Sequence, residues 1–193
     1  MPDDALRRLL QGNIRFVADK SVSDESTQRR IAVASAQAPF ATIFGCVDSR
    51  VSPELIFDQG IGDLFVIRTA GQVLDRAVLG SLEFGVAELG ISLLMVLGHT
   101  HCGAIKAAMD VLDSGNVAPA EIEYLVEALA PAVEQGRRMR SDVWNRAVRA
   151  QISLVVEQLH QVPLLNDAVA RDKLKIVGAN YDLETGWVQM TVQ

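Results

Sequence analysis

The chain has 193 residues, 49% of them hydrophobic and 22% charged, with a formal net charge of −6 and a pI near 5.0. That length suits one domain with a sizeable core, and the acidic balance argues against nucleic-acid binding by bulk charge. The one basic cluster, Arg137, Arg138 and Arg140, has no aromatic interleaving and reads as a solvated helix end.

The opening "MPDDALRRLLQGN" is charged from its third residue, unlike a signal peptide. Leu6, Leu9, Leu10 and Ile14 then recur at helical spacing, so residues 3–19 are expected to be helical. A polar "SVSDEST" loop and a second helical stretch to about Gln37 complete an N-terminal helical arm, residues 1–37. From residue 38 strand-like and helix-like segments alternate, the pattern of an α/β fold with a mainly parallel central sheet flanked by helices. "FATIFGCV" (40–47) reads as a buried strand, and Ser52, Pro53 and Glu54 cap and start a short helix. "DLFVIR" (63–68) is the second strand, 75–89 a helix stopped by Gly90, and "ISLLMVLG" (91–98) the third strand. Two or three longer helices fill 103–161, with breaks near Pro119 and Gly136. "KLKIVGANYD" and "WVQMTV" close the sheet around the turn "LETG". No internal repeat or low-complexity linker interrupts this order, so residues 1–193 are read as a single domain.

The longest apolar run, residues 91–97 with Ser92 inside it, is far short of the ~20 residues that span a bilayer, so no membrane partner is expected. A cytoplasmic location is expected, where cysteines serve as metal ligands or catalytic groups more often than as disulfides. The chain has only two cysteines and three histidines, and Cys46, His99 and Cys102 fall at the carboxyl ends of the first and third strands. Ligand sites of open α/β sheets lie at such ends. Burial as small hydrophobes and a satisfied core histidine is one reading of these three residues. The other is a tetrahedral Zn²⁺ site with an open position, with the Cys102 thiolate favoured by the helix that starts there.

The elements "CVDSR" (46–50) and "GHTHCG" (98–103) closely resemble the C-x-D-x-R and H-x-x-C elements of the β-class carbonic anhydrases. "LLQGNIRF", "SRVSPELIFDQGIGDLFVIRTAG" and "VLGSLEFGVAELG" are similar to that family in order and spacing, while residues 110–170 carry little of the signal. The resemblance implies that Cys46, His99 and Cys102 are zinc ligands and that Asp48 and Arg50 form a catalytic dyad. It implies attack of zinc-bound hydroxide on CO₂ to give bicarbonate. Two thiolates and a neutral imidazole leave Zn²⁺ formally uncharged, so an acceptor beside the water is needed. Asp48 can be that acceptor. A bare carboxylate would also ligate zinc, as a fourth ligand in a closed form, unless the planar fork of Arg50 holds both its oxygens.

By position, Gln37 matches a family glutamine that steadies bicarbonate across a dimer interface, and Phe65 matches an aromatic wall of the CO₂ niche. Phe84 stands where some relatives carry tyrosine. A homodimer, or a tetramer of dimers, is the implied assembly. Gln72 stands where many members have asparagine. Ile43 replaces the tryptophan of members with a regulatory bicarbonate pocket, although Arg68 and Tyr181 resemble two of its other parts. His101 lies outside the family's ligand set and is either a capping residue or a proton acceptor at the site mouth. Hydrolysis of carbonyl sulfide or carbon disulfide on the same scaffold is an alternative function. A non-catalytic zinc-binding or redox-sensing domain is another.

Overall fold

The computed structural model describes residues 1–138 and 141–192. It opens with α1 (Pro2–Val17), which has Pro2 in its first turn and Asp3 and Asp4 near the positive end of the helix dipole. The short α2 (Thr27–Ala32) follows, where the Ser26 hydroxyl accepts from the Arg29 N–H at 3.0 Å. It stops at Ala32, short of the expected Gln37. No residue of α2 is buried, so nothing offsets the ordering of further turns.

The core then runs β1 (Ala41–Cys46), α3 (Pro53–Ile56), β2 (Leu64–Thr69), a 3₁₀ turn (Ala70–Gln72), α4 (Arg76–Ala87) and β3 (Leu93–His99). Helices α5 (Gly103–Ser114), α6 (Ile122–Arg137), α7 (Val143–His160) and α8 (Pro163–Ala170) come next, and β4 (Lys175–Tyr181) and β5 (Val188–Val192) end the chain. The five strands lie in the order β2-β1-β3-β4-β5, all parallel except β5, which runs antiparallel to β4. This is the expected α/β fold.

Three local expectations change. Ser52 occupies the N-cap of α3, but its side chain makes no capping bond; Pro53 alone marks the start. Gly136 does not break a helix. It lies inside α6, where an added Cβ would come 2.8 Å from the Ala147 backbone nitrogen, so the glycine lets α6 and α7 meet at close range. Helix α8, which the apolar pattern did not separate, begins at Pro163. Of the basic cluster, Arg137 pairs with Asp113, Arg138 is exposed at the end of α6, and Arg140 lies outside the described residues.

Burial on both faces explains why β1 and β3 read as unbroken apolar runs. One face (Ala41, Ile43, Leu93, Met95, Leu97, Val177) packs with Leu9 of α1 and with Ile56 and Phe57. The other (Phe44, Leu94, Val96, Ile176) packs with Leu82, Ile105, Leu129, Ile152 and Leu159 of the later helices. Helix α1 is fixed to the first face by polar contacts as well. Buried Asn13 donates to the Ile56 and Gly186 carbonyls at 3.2 and 2.9 Å and accepts from Val188 N–H at 2.9 Å. No helix among the described residues is long and apolar enough to cross a membrane.

The chain leaves β1 for β2 on one side and returns to place β3 on the other. The carboxyl ends of β1 and β3 are therefore adjacent where the connections diverge, which is the crevice that open α/β sheets use for ligands.

Candidate metal centre

Cys46 is the last residue of β1, His99 the last of β3, and Cys102 the N-cap of α5. One ligand atom from each lies within 4.8 Å of the others, and all three residues are buried. The two Sγ atoms are 3.9 Å apart, both cysteines being free. Zn–S bonds of ~2.3 Å at a tetrahedral angle would set two sulfurs ~3.8 Å apart, so the spacing suits that ion. His99 contributes the clearest sign. Its Nδ1–H donates to the Thr100 carbonyl at 2.9 Å, which leaves a lone pair on Nε2, and that atom is buried without a hydrogen-bond partner. A buried acceptor of this kind calls for an occupant, and the cysteine–imidazole set can hold a metal ion.

The two thiols are shifted in opposite directions. Cys46 is pulled down to about 4 by the Cys102 S–H beside it, then by His99 and the Gly71 N–H, against the opposing effect of burial. Cys102 is pushed up by its hydrogen bond to Cys46 and by burial. The Ala104 and Ile105 N–H groups at the start of α5 favour its thiolate, as the sequence suggested, but are outweighed. A dication between the sulfurs would relieve this conflict, because both thiolates would then face positive charge.

Asp48 stands at the edge of the ligand triangle, with Oδ2 3.8 Å from His99 Nε2. Arg50 takes both of its oxygens: Nε donates to Oδ1 at 2.9 Å and Nη2 to Oδ2 at 2.8 Å, while the Arg50 backbone N–H donates to Oδ1 at 3.0 Å. This fork holds the Asp48 carboxyl down at about 2.

Surrounding groups fix the peptides that carry these side chains. Arg68 donates to the carbonyls of Cys46 and Asp48 at 2.7 and 2.6 Å. The Gly71 N–H approaches Cys46 Sγ at 3.5 Å. Gln72, in the left-handed region at φ 53°, donates to the Leu97 carbonyl two residues before His99. His101, also left-handed at φ 56°, gives its N–H to Asn145 Oδ1, and its ring lies against Trp144 with centroids 5.1 Å apart. Trp144 was not singled out in the sequence, since no motif marks residues 110–170 and a lone tryptophan there looks like any core aromatic.

The remaining candidates lie elsewhere in the single chain. Gln37 is exposed on the coil before β1. Phe65 and Phe84 meet each other at 6.5 Å between ring centroids, Phe84 being 46% exposed. Phe65 is in register with Thr42, four residues before Cys46, which is ~13 Å along a strand. Ile43 is wholly buried in the core, and Tyr181 is buried at the end of β4 beside His99.

Comparisons with known proteins identify the family. A family model described as carbonic anhydrase matches residues 41–188. Carbonic anhydrase 2 of Mycobacterium tuberculosis is 41% identical over 190 residues, covering 96% of this chain and 90% of that protein. The carbonic anhydrase of Mycolicibacterium smegmatis is 40% identical over 194 residues, covering 98% and 93%. Among solved structures, the Coccomyxa β-carbonic anhydrase in complex with acetazolamide superposes with a TM-score of 0.75 at 28% identity, covering 83% of this chain and 75% of that one. The β-carbonic anhydrase CcaA gives 0.76 at 26% identity, covering 96% and 94%. Identity of 40–41% across nearly the whole chain, together with the matched family model and a shared fold, shows that the chain belongs to the β-carbonic anhydrase family and is an enzyme of that kind.

Proposed function

We infer that this enzyme hydrates carbon dioxide reversibly to bicarbonate at a zinc ion held by Cys46, His99 and Cys102, with Asp48 and Arg50 orienting the reaction. The observation that carries this reading is the unpartnered Nε2 of His99, buried within 4.8 Å of two cysteine sulfurs and 3.8 Å from an arginine-held carboxylate. Zinc, when bound, would acidify a water molecule and so supply a nucleophile near neutral pH.

The chain's residues do the rest. Cys46 and Cys102 offer thiolates, and the Thr100 carbonyl keeps His99 in the tautomer whose Nε2 can ligate. Asp48 accepts a hydrogen bond from the attacking water and so aims its lone pair at the carbon of CO₂. Arg50 keeps that carboxylate from becoming a ligand itself, because both oxygens are already engaged. Water adds its oxygen to carbon, bicarbonate leaves, and the surplus proton passes to solvent.

The substrate niche is completed by a second copy of the chain. Every residue of the edge strand β2 is only half-buried, whereas parallel strands are ordinarily covered on both faces, and the exposed Phe84 ring lies beside it. A partner on this edge would cover Phe65 and Phe84 and bring its own Gln37 segment toward the site, making a homodimer the basic unit and a tetramer of dimers a further assembly.

Metal analysis combined with stopped-flow CO₂ hydration tests the reading. About one zinc per chain and hydration that chelation abolishes are expected; zinc-loaded protein without hydration would overturn it. Turnover of carbonyl sulfide and carbon disulfide, measured alongside, identifies the preferred gas.

A further inference from the structure

We propose that Trp144, on the first turn of α7, is a positioning residue for the metal centre. The proposal rests on the zinc reading above. The Trp144 indole Nε1–H donates to the Cys102 carbonyl at 2.9 Å, an oxygen that also accepts the Lys106 N–H at 3.1 Å in the first turn of α5. The indole lies tilted against the His101 ring, with centroids 5.1 Å apart, and Asn145, the next residue of α7, accepts the His101 N–H at 3.3 Å. Residues 101 and 102 are thus held from α7 at three points.

That support has a local reason. The chain must turn between the end of β3 and the start of α5 within the three residues from Thr100 to Cys102, and His101 does so in the left-handed region, unusual for a residue with a Cβ. A turn of this shape needs outside contacts to stay put. Cys102 is at its far end, and its sulfur must sit at a fixed distance from Cys46 Sγ and His99 Nε2. Arg50 adds a weaker contact, Nη2 to the His101 carbonyl at 3.4 Å. Trp144 is the only one of these groups that bonds the peptide of a ligand residue from α7. Groups that orient metal ligands are worth 10–100-fold in metal affinity.

The test uses the full chain with zinc and with cobalt(II) as a spectroscopic stand-in. Trp144→Phe keeps a ring against His101 and removes only the N–H donor. It is expected to weaken zinc binding about 10-fold in competition with a chromophoric chelator, to shift the thiolate-to-cobalt absorption band, and to leave the melting of the metal-free protein close to wild type. Wild-type zinc affinity in Trp144→Phe would overturn the proposal. So would an affinity loss accompanied by an equally severe loss of metal-free stability, which would make Trp144 a packing residue only.

A second measurement does not depend on that variant folding. In Trp187→Phe, which removes the other tryptophan, 43% exposed near the β4–β5 turn, a single indole N–H resonance remains. It is expected to shift when zinc is added; an unmoved resonance on zinc-loaded protein would overturn the proposal. If Trp187→Phe and wild type both take up no zinc, the zinc reading itself fails and this inference falls with it. Zinc uptake with an unmoved resonance sinks the inference alone.

Discussion

Arg50 grips Asp48 through both carboxylate oxygens, at 2.9 and 2.8 Å, while Asp48 Oδ2 stands only 3.8 Å from the free nitrogen of His99. On the proposed mechanism, that one side chain would decide whether the carboxylate orients substrate water or becomes a fourth metal ligand. Arg50→Ala is expected to leave zinc bound but to convert its coordination to two sulfurs, one nitrogen and one carboxylate oxygen at pH 6.5, with hydration falling at least ~100-fold. X-ray absorption on wild type and variant at pH 6.5 and 8.5 reads this directly. Solvent retained as fourth ligand in the variant at both pH values would separate Arg50 from any gating role.

Cys46→Ser, His99→Ala and Cys102→Ser are each expected to lose zinc and activity, since hydroxyl and methyl groups do not replace thiolate or imidazole donors. Proton release provides an independent check. Cys46 is lowered while Cys102 is raised, so Cys102 keeps its proton at neutral pH in the metal-free pair. Zinc binding should expel it, and affinity should fall as pH is lowered. Calorimetry in two buffers of different ionisation enthalpy would show proton release on zinc binding; no release would mean the two sulfurs do not both bind as thiolates.

Asp58, whose side chain is wholly buried, accepts from Arg15 and from the Val22 and Ser23 N–H groups at 2.8 Å each, tying the helical arm to the loop after α3. Against burial, which raises it, Arg15 and those N–H groups hold this carboxyl below its ordinary value. Its contribution to stability is therefore present above the unfolded pKa of ~3.9 and disappears as pH falls through the lower folded value. Asp58→Asn should cost about 2 kcal/mol at pH 7, a drop of roughly 4–8 °C in melting temperature for a chain of this size. A drop of the same size at pH 2 as at pH 7 would contradict the assigned cause.

Gly98 lies one residue before His99, and a Cβ there would come 2.6 Å from Ile152 Cδ1 of α7. Gly98→Ala should lower stability by roughly 1–3 kcal/mol through overpacking and weaken zinc binding by displacing the end of β3. Ile152→Val, which removes Cδ1, should restore part of both losses. Thermal melts and zinc competition on the single and double variants check this; independent, additive effects would place the strain elsewhere.

Phe84→Glu puts a charge on the exposed ring beside the β2 edge. Sedimentation should then show loss of self-association, with zinc content kept and CO₂ turnover reduced, if a partner closes the niche as proposed. A monomeric wild-type chain with full activity would remove the partner from the mechanism.

The sequence by itself determined the order of the strands along the chain and the candidate metal-binding residues. Strands buried on both faces must be apolar throughout, so β1 and β3 were legible as runs, and "CVDSR" and "GHTHCG" marked the candidate metal set through their resemblance to the family's elements. Local signals failed where packing decides. Gly136 reads as a helix breaker until the backbone of α7 is set against it, and α2 ends early because no surface covers it. The tertiary structure alone placed Cys46 beside His99 across the β1–β3 pair, gave Arg68 its two carbonyls, and brought Trp144 from α7 onto the Cys102 peptide, forty-two residues away in the chain. Contacts of this kind join polar atoms whose partners are chosen by chain topology, and a tryptophan or arginine carries no mark in its own neighbourhood of the distant carbonyl it will meet.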